Sequence, residues 1–185
     1  MSDPARPAER HPDANRRARS VARLNGVQAL YQMEMTGADW REVALEFQSH
    51  RAAQEIDDEE IAKADRRHFR KLLEGAVSEQ TRIDRAVDAV MKTGWPLKRI
   101  DPTLRALFRA AGSEFATMPK APPKVVINEY VEVAKAFFEG EEVRFANAVL
   151  DGLARDLRAA PGEATEPAAQ GPLPFSGPTV ETSES

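Results

Sequence analysis

Apolar residues recur at intervals of three and four along the middle of the chain, as they do on the buried face of an amphipathic helix. Stripes of this kind occupy residues 24–35, 40–47, 69–77, 83–91, 104–115, 126–137 and 146–157. No segment alternates apolar and polar residues for long enough to predict a β-strand. The pattern therefore predicts an all-α protein of six or seven helices, most of them joined by short links that favour antiparallel neighbours.

Turn-forming residues separate these stripes and predict where helices begin and end. Asp101-Pro102 is typical of an N-cap followed by proline at the first helical position, and Pro122-Pro123 opens the next helix. Gly37 ends the first stripe. Arg109 and Glu114 are five residues apart on one predicted helix, which is poor spacing for an ion pair, so we expect each to pair with another helix.

The two ends of the chain differ in composition from the middle. Residues 1–15 are polar and contain three prolines, and residues 161–185 contain five prolines and four Glu without Lys or Arg. Such segments bury too little apolar surface to offset the entropy of ordering. We therefore predict a disordered N-terminal extension over 1–15, one helical domain over 16–159, and a disordered acidic, Pro-rich tail over 160–185.

Composition excludes several classes of protein. The 185 residues contain no cysteine, which excludes disulfides and thiolate chemistry, and no apolar run is long enough to span a bilayer. The N-terminal residues lack the apolar core of a secretory signal, so a cytoplasmic location is expected. The sequence contains no phosphate-binding loop, no nucleophile elbow and no clustered metal ligands. An enzyme is not predicted, and neither is a metal or cofactor site.

Charge is unevenly distributed, although the formal net charge is only −4. Arg16, Arg17, Arg19 and Arg23 lie at the start of the first predicted helix, where positive charge opposes the helix dipole. An anionic partner would explain this cluster, and a solvated basic start remains the alternative. Residues Arg144-Phe145 open the last helix, and a cation beside an aromatic ring is suited to phosphate contact and base stacking. Core packing of the ring is the alternative there.

Three segments resemble the NusB family of bacterial transcription antitermination factors. They are ARLNGVQALYQ at 22–32, LRALFRAAGSEF at 104–115, and INEYVEVAKAF with RFANAVLDGL within 127–153. The resemblance covers about residues 16–158, and its last segment is the most specific. The chain departs from the family pattern at Phe138, where glycine is common, and at Ala148, which replaces glycine.

The resemblance implies a fold of two packed three-helix bundles and a non-catalytic function without cofactors. Members of the family pair with NusE, a small-subunit ribosomal protein, and bind the boxA element of ribosomal RNA transcripts within an antitermination complex on RNA polymerase. Together with the arginine cluster, the resemblance implies which residues of this chain bind RNA. They are Arg16, Arg17, Arg19, Arg23, Glu141, Arg144 and Phe145. Tyr31 is expected to face the protein partner or the core.

Two other functions fit the same residues. The chain could be a protein–protein scaffold of this fold without an RNA role, or a non-catalytic RNA-binding partner of an enzyme that modifies ribosomal RNA. A homodimer that buries the face used by the partner also remains open.

Overall fold

The structure, a computed structural model, describes residues 12–54, 65–91 and 99–158. Within these ranges the chain is helical without strands, which confirms the all-α prediction. The described helices are α1 (Pro12–Thr36), α2 (Trp40–Gln54), α3 (Arg66–Ser78), α4 (Gln80–Met91), α5 (Pro102–Thr117), α6 (Pro123–Lys135) and α7 (Gly140–Arg158).

Side chains and turn glycines fix the helix ends where the sequence suggests. The Asp101 side chain accepts a hydrogen bond from the Thr103 backbone N–H at 2.7 Å, so α5 begins with the predicted cap. Asp65 caps α3 in the same way through the backbone N–H of His68. Gly37 ends α1 with a φ of 73°, a left-handed conformation that glycine adopts at little cost.

The long, almost wholly buried helix α5 organises the core. It packs against α1, α3, α4, α6 and α7, whereas α2 packs mainly against α1 and α3. The molecule thus consists of an N-terminal bundle, α1 to α3, and a C-terminal group, α4 to α7, with α5 contacting both. At the α4–α7 contact Gly152 lies against Val90, and a β-carbon there would approach the Val90 side chain to 2.5 Å.

Helices α1 and α5 run antiparallel, and ion pairs join them near both ends. Arg23 pairs with Glu114 at one end of the contact, and Glu34 pairs with Arg105 and Arg109 at the other. Arg109 also binds Asp84 on α4. The prediction that Arg109 and Glu114 pair with other helices is therefore confirmed.

The structure differs from the sequence pattern in two respects. Helix α1 begins at Pro12, inside the segment predicted to be disordered. Proline at the first helical position and Asp13 in the first turn both favour this earlier start. Several members of the apolar stripes are exposed rather than buried, namely Tyr31, Met35, Val77 and Phe137. The remaining predicted tail segments, 1–11 and 160–185, lie outside the described residues.

The described residues contain neither a membrane-spanning helix nor a cluster of metal ligands. None of the described helices is sufficiently long and apolar to cross a membrane. No three His, Asp or Glu side chains in this part of the chain converge in a way that could hold a metal ion.

Candidate nucleic-acid interface

Arg23 lies at the centre of a buried polar network that joins four helices. Its guanidinium donates to both carboxylate oxygens of Glu114, at 2.9 Å from Nε and 2.6 Å from Nη2, and from Nη1 to Glu129 at 3.0 Å. The Ser20 hydroxyl donates to the same Glu129 oxygen at 2.6 Å. His68 Nε2 lies 3.4 Å from Glu114 Oε2, a contact without good hydrogen-bond geometry. The network thus fixes α1 against α3, α5 and α6.

Ionisation in this network is set by competition between burial and pairing. Burial opposes the charged form of Glu114, but contacts from His68 and Arg23 outweigh it and hold the carboxyl pKa at about 2. Burial likewise opposes charge on Arg23, and the Glu114 carboxylate reverses that effect and raises the arginine pKa. Burial and the nearby Glu114 raise the pKa of the Tyr130 hydroxyl, so this tyrosine stays neutral.

This geometry corrects the prediction that Arg23 contacts RNA. Arg23 is only 5% exposed, and two carboxylates occupy its donors. Spacing alone placed Arg16, Arg19 and Arg23 on one face of α1, but Arg23 turns into the α1–α5–α6 contact while the other two remain in solvent. Arg23 therefore stabilises the fold and positions the helix whose start bears the exposed cations.

The start of α1 presents three solvent-exposed cations, Arg16, Arg17 and Arg19. Among the described residues, neither Arg16 nor Arg17 has an ion-pair partner. Arg19 lies 3.7 Å from Asp65, but its side chain remains 60% exposed, so this pair contributes little. These three guanidinium groups are available to an anion.

The start of α7 presents a second cation next to an aromatic ring. Arg144 is 66% exposed and lies 3.6 Å from Glu141, one turn earlier on the same helix. Phe145 is half-buried and packs edge-on against Phe108 of α5, with ring centroids 6.1 Å apart. Core packing thus accounts for part of the Phe145 surface, and the residue as a whole keeps intermediate exposure. Helix α7 begins at Gly140, four residues before Arg144, so Glu141, Arg144 and Phe145 all lie within its first two turns.

The two exposed sites lie well apart along the molecule. Arg17 precedes Arg23 by six residues on α1, and Phe108 precedes Glu114 by six residues on α5. Because these helices are antiparallel, the two offsets point in opposite directions. At a rise of 1.5 Å per residue, they place Arg17 and the ring of Phe145 roughly 18 Å apart along the helix axes. One extended strand could contact both, whereas one nucleotide could not.

Tyr31 lies on a different part of α1 from the arginines and is 39% exposed. A groove of about 670 Å³, which Tyr31 itself does not line, lies between the end of α1, the α3–α4 junction and α5. Its lining includes Leu30 and Met33 together with the paired Glu34 and Arg109. This half-exposed surface with both apolar and charged groups is suited to a protein partner.

The sequence alone did not reveal the carboxylates that pair with the buried Arg23. Glu114 and Glu129 lie 91 and 106 residues away from it in the chain. A buried carboxylate on a predicted core helix signals that a cation must approach it, but does not indicate which cation.

Several known proteins with similar sequences carry the same name. A model of the NusB family matches residues 20–155. The transcription antitermination protein NusB of Caulobacter vibrioides is 48% identical over 140 residues, which are 76% of this chain and 94% of that protein. The NusB protein of Nitrobacter hamburgensis is 47% identical over 146 residues, 79% of this chain and 90% of its own length.

Solved structures of the same family have a similar fold. NusB of T. maritima superposes with a TM-score of 0.60 at 25% identity, covering 76% of this chain and 92% of that one. A crystal structure of antitermination factors NusB and NusE in complex with dsRNA matches with a TM-score of 0.57 at 18% identity. That second match covers 76% of this chain and 96% of the other, and it shows the fold alone.

Proposed function

Because the chain belongs to the NusB family, we propose that it is a transcription antitermination factor that binds boxA RNA of ribosomal RNA transcripts together with NusE. It is not an enzyme, since the family acts by assembling with RNA and protein rather than by catalysis. The exposed, largely unpaired cations at the start of α1 are the observation on which the RNA-binding proposal rests.

Arg16, Arg17 and Arg19 would neutralise phosphates, so binding should weaken steeply as salt concentration rises. Such contacts fix position without selecting a sequence. Arg23 takes no direct part and holds α1 in place through Glu114 and Glu129.

Selectivity requires contacts to bases, and the start of α7 is suited to supply one. The exposed part of Phe145 can stack an unpaired base, a contact worth about 1–3 kcal/mol in single-strand binding sites. Arg144 beside it can meet a phosphate, and Glu141 can accept hydrogen bonds from base edges. We propose that the RNA strand crosses the interval of roughly 18 Å between the two sites.

A partner that extends the RNA surface would raise affinity without new chemistry on this chain. Another NusB has been solved in complex with NusE and dsRNA. Membership of the NusB family is the ground on which we propose the same partners for this chain. We propose that NusE, rather than a second copy of this chain, covers the face around Tyr31. The pair would act in the cytoplasm within an antitermination complex on RNA polymerase.

The proposal is tested by binding of a short boxA RNA, with and without purified NusE, at two salt concentrations. A scrambled RNA of equal length is the control for selectivity. We expect sequence-selective, salt-sensitive binding that NusE strengthens at least tenfold. Absence of selectivity with and without NusE would contradict the proposal and would favour a protein–protein scaffold of the same fold.

A further inference from the structure

The outer face of α3 is strongly basic. Its first six residues place four cations in solvent, namely Arg66, Arg67, Arg70 and Lys71. Among the described residues, Arg67, Arg70 and Lys71 have no ion-pair partner. The buried face of the same helix is formed by Phe69, Leu72, Leu73, Gly75 and Ala76. The cations therefore add charge to the surface without contributing to the core.

This basic face continues the exposed start of α1. The backbone N–H of Asp65 donates to the Ala18 carbonyl oxygen at 3.0 Å, and Arg19 lies 3.7 Å from the Asp65 carboxylate. Further along, Gly26 of α1 lies directly against Leu72 of α3. The two helices therefore run side by side in the same direction, and Arg19 of α1 lies beside the start of α3.

Local energetics do not account for the cations of α3. Arg66 and Arg70, and likewise Arg67 and Lys71, are four residues apart, where like charges destabilise a helix. Positive charge in the first turns also opposes the helix dipole. A polyanion bound across the face would reverse both effects.

We propose that Arg67, Arg70 and Lys71 extend the α1 surface and bind the phosphate backbone of RNA that flanks the recognised motif. The inference rests on the proposed function. It adds a second RNA-binding surface, one that contacts phosphates and does not select a sequence. RNA is the occupant because the face begins beside Arg19 of α1 and its first two turns offer charge without apolar side chains. Contacts of this kind add affinity and salt dependence but no base selectivity.

An acidic segment of the chain would compete with RNA for these cations. The acidic run at 57–60 precedes α3 and lies outside the described residues. If those acids neutralised the face in solution, flanking RNA would add no affinity to the wild-type protein. The experiment below detects that outcome.

The test compares two RNAs on the full chain with NusE present: the motif alone, and the motif with ten further nucleotides on each side. Wild type should bind the longer RNA about tenfold more tightly at low salt. The variant Arg67→Gln/Arg70→Gln/Lys71→Gln should lose this preference and keep its affinity for the motif alone. Its log–log salt slope on the longer RNA should fall by about 2, since each phosphate contact to a single strand contributes about 0.7.

A matched control removes three exposed cations from distant elements, as Arg85→Gln/Arg99→Gln/Arg155→Gln, and should keep the wild-type preference. The inference is overturned if the α3 variant keeps the preference, if the control loses it equally, or if wild type shows none. Failure of the wild type to bind even the motif RNA would instead overturn the proposed function. Circular dichroism of each variant confirms that α3 still forms.

Discussion

Arginines on one helix have opposite roles in this protein. Arg23 is buried and holds two carboxylates from α5 and α6, whereas Arg16 and Arg17, less than two turns earlier, have no ion-pair partner among the described residues. Arg16 and Arg23, seven residues apart, even lie on the same face of α1. What differs is whether a carboxylate on a neighbouring helix lies at the same level. A cationic stripe on a helix therefore predicts a surface for anions only where the opposing helices offer no acids.

The largest effect we expect comes from removing the buried cation. Arg23→Ala leaves Glu114 charged and unpaired in the core, and loss of one partner of a buried ion pair costs about 3–5 kcal/mol of unfolding free energy. Arg17→Ala is the matched control and should change that free energy by less than about 0.5 kcal/mol. Urea unfolding measures both variants. If the two variants had equal unfolding free energies, Arg23 would contribute no more to the fold than Arg17, which would contradict the assignment.

The second-largest effect is expected at low pH, where the buried network should become weaker. The folded pKa of Glu114 is about 2, below its usual value of 4.5, so its contribution is complete above 4.5 and is lost as pH falls toward 2. At about 1.4 kcal/mol for each unit between the folded and the usual pKa of Glu114, the loss of unfolding free energy approaches about 3 kcal/mol.

The Glu114→Gln variant isolates that contribution, because other acids titrate in both proteins. The difference in unfolding free energy between wild type and variant should shrink as pH is lowered from 5 to 2. A difference that stays constant across this range would contradict the assignment of a charged, paired Glu114.

How much of this arrangement could be predicted from sequence depends on whether its cause is local. Helix periods, the Asp101 cap and the end at Gly37 follow from neighbouring residues, and all three are observed. The burial of Arg23 depends on acids more than 90 residues away, so the spacing of α1 could not reveal it. The cations of α3 were visible as the run at 66–71, but their exposure next to α1 follows only from the packing of the two helices.

We assign Phe145 both a structural role and an RNA contact. It packs on Phe108 and keeps intermediate exposure. Phe145→Leu keeps most of the packing and should cost less than about 1.5 kcal/mol of stability. It removes the stacking surface, so RNA affinity should fall by about 1–3 kcal/mol. Fluorescence anisotropy and urea unfolding measure the two quantities on one preparation. Unchanged RNA affinity would assign the ring to the core alone.

The smallest effect is expected at Arg144. Its exposed pair with Glu141 contributes little, so Arg144→Gln should leave the unfolding free energy within about 0.5 kcal/mol. The salt slope of RNA binding should fall by about 0.7, as expected for one lost phosphate contact. A slope equal to that of wild type would place Arg144 outside the RNA path.

The most direct test removes the exposed cations and leaves the buried one. The variant Arg16→Gln/Arg17→Gln/Arg19→Gln is compared with wild type for boxA affinity at low salt, with NusE present, and for unfolding free energy. We expect at least a tenfold loss of RNA affinity, while the unfolding free energy stays within about 1 kcal/mol of the wild-type value. Full RNA affinity in a stable variant would contradict the assignment of the α1 start as the RNA-binding surface.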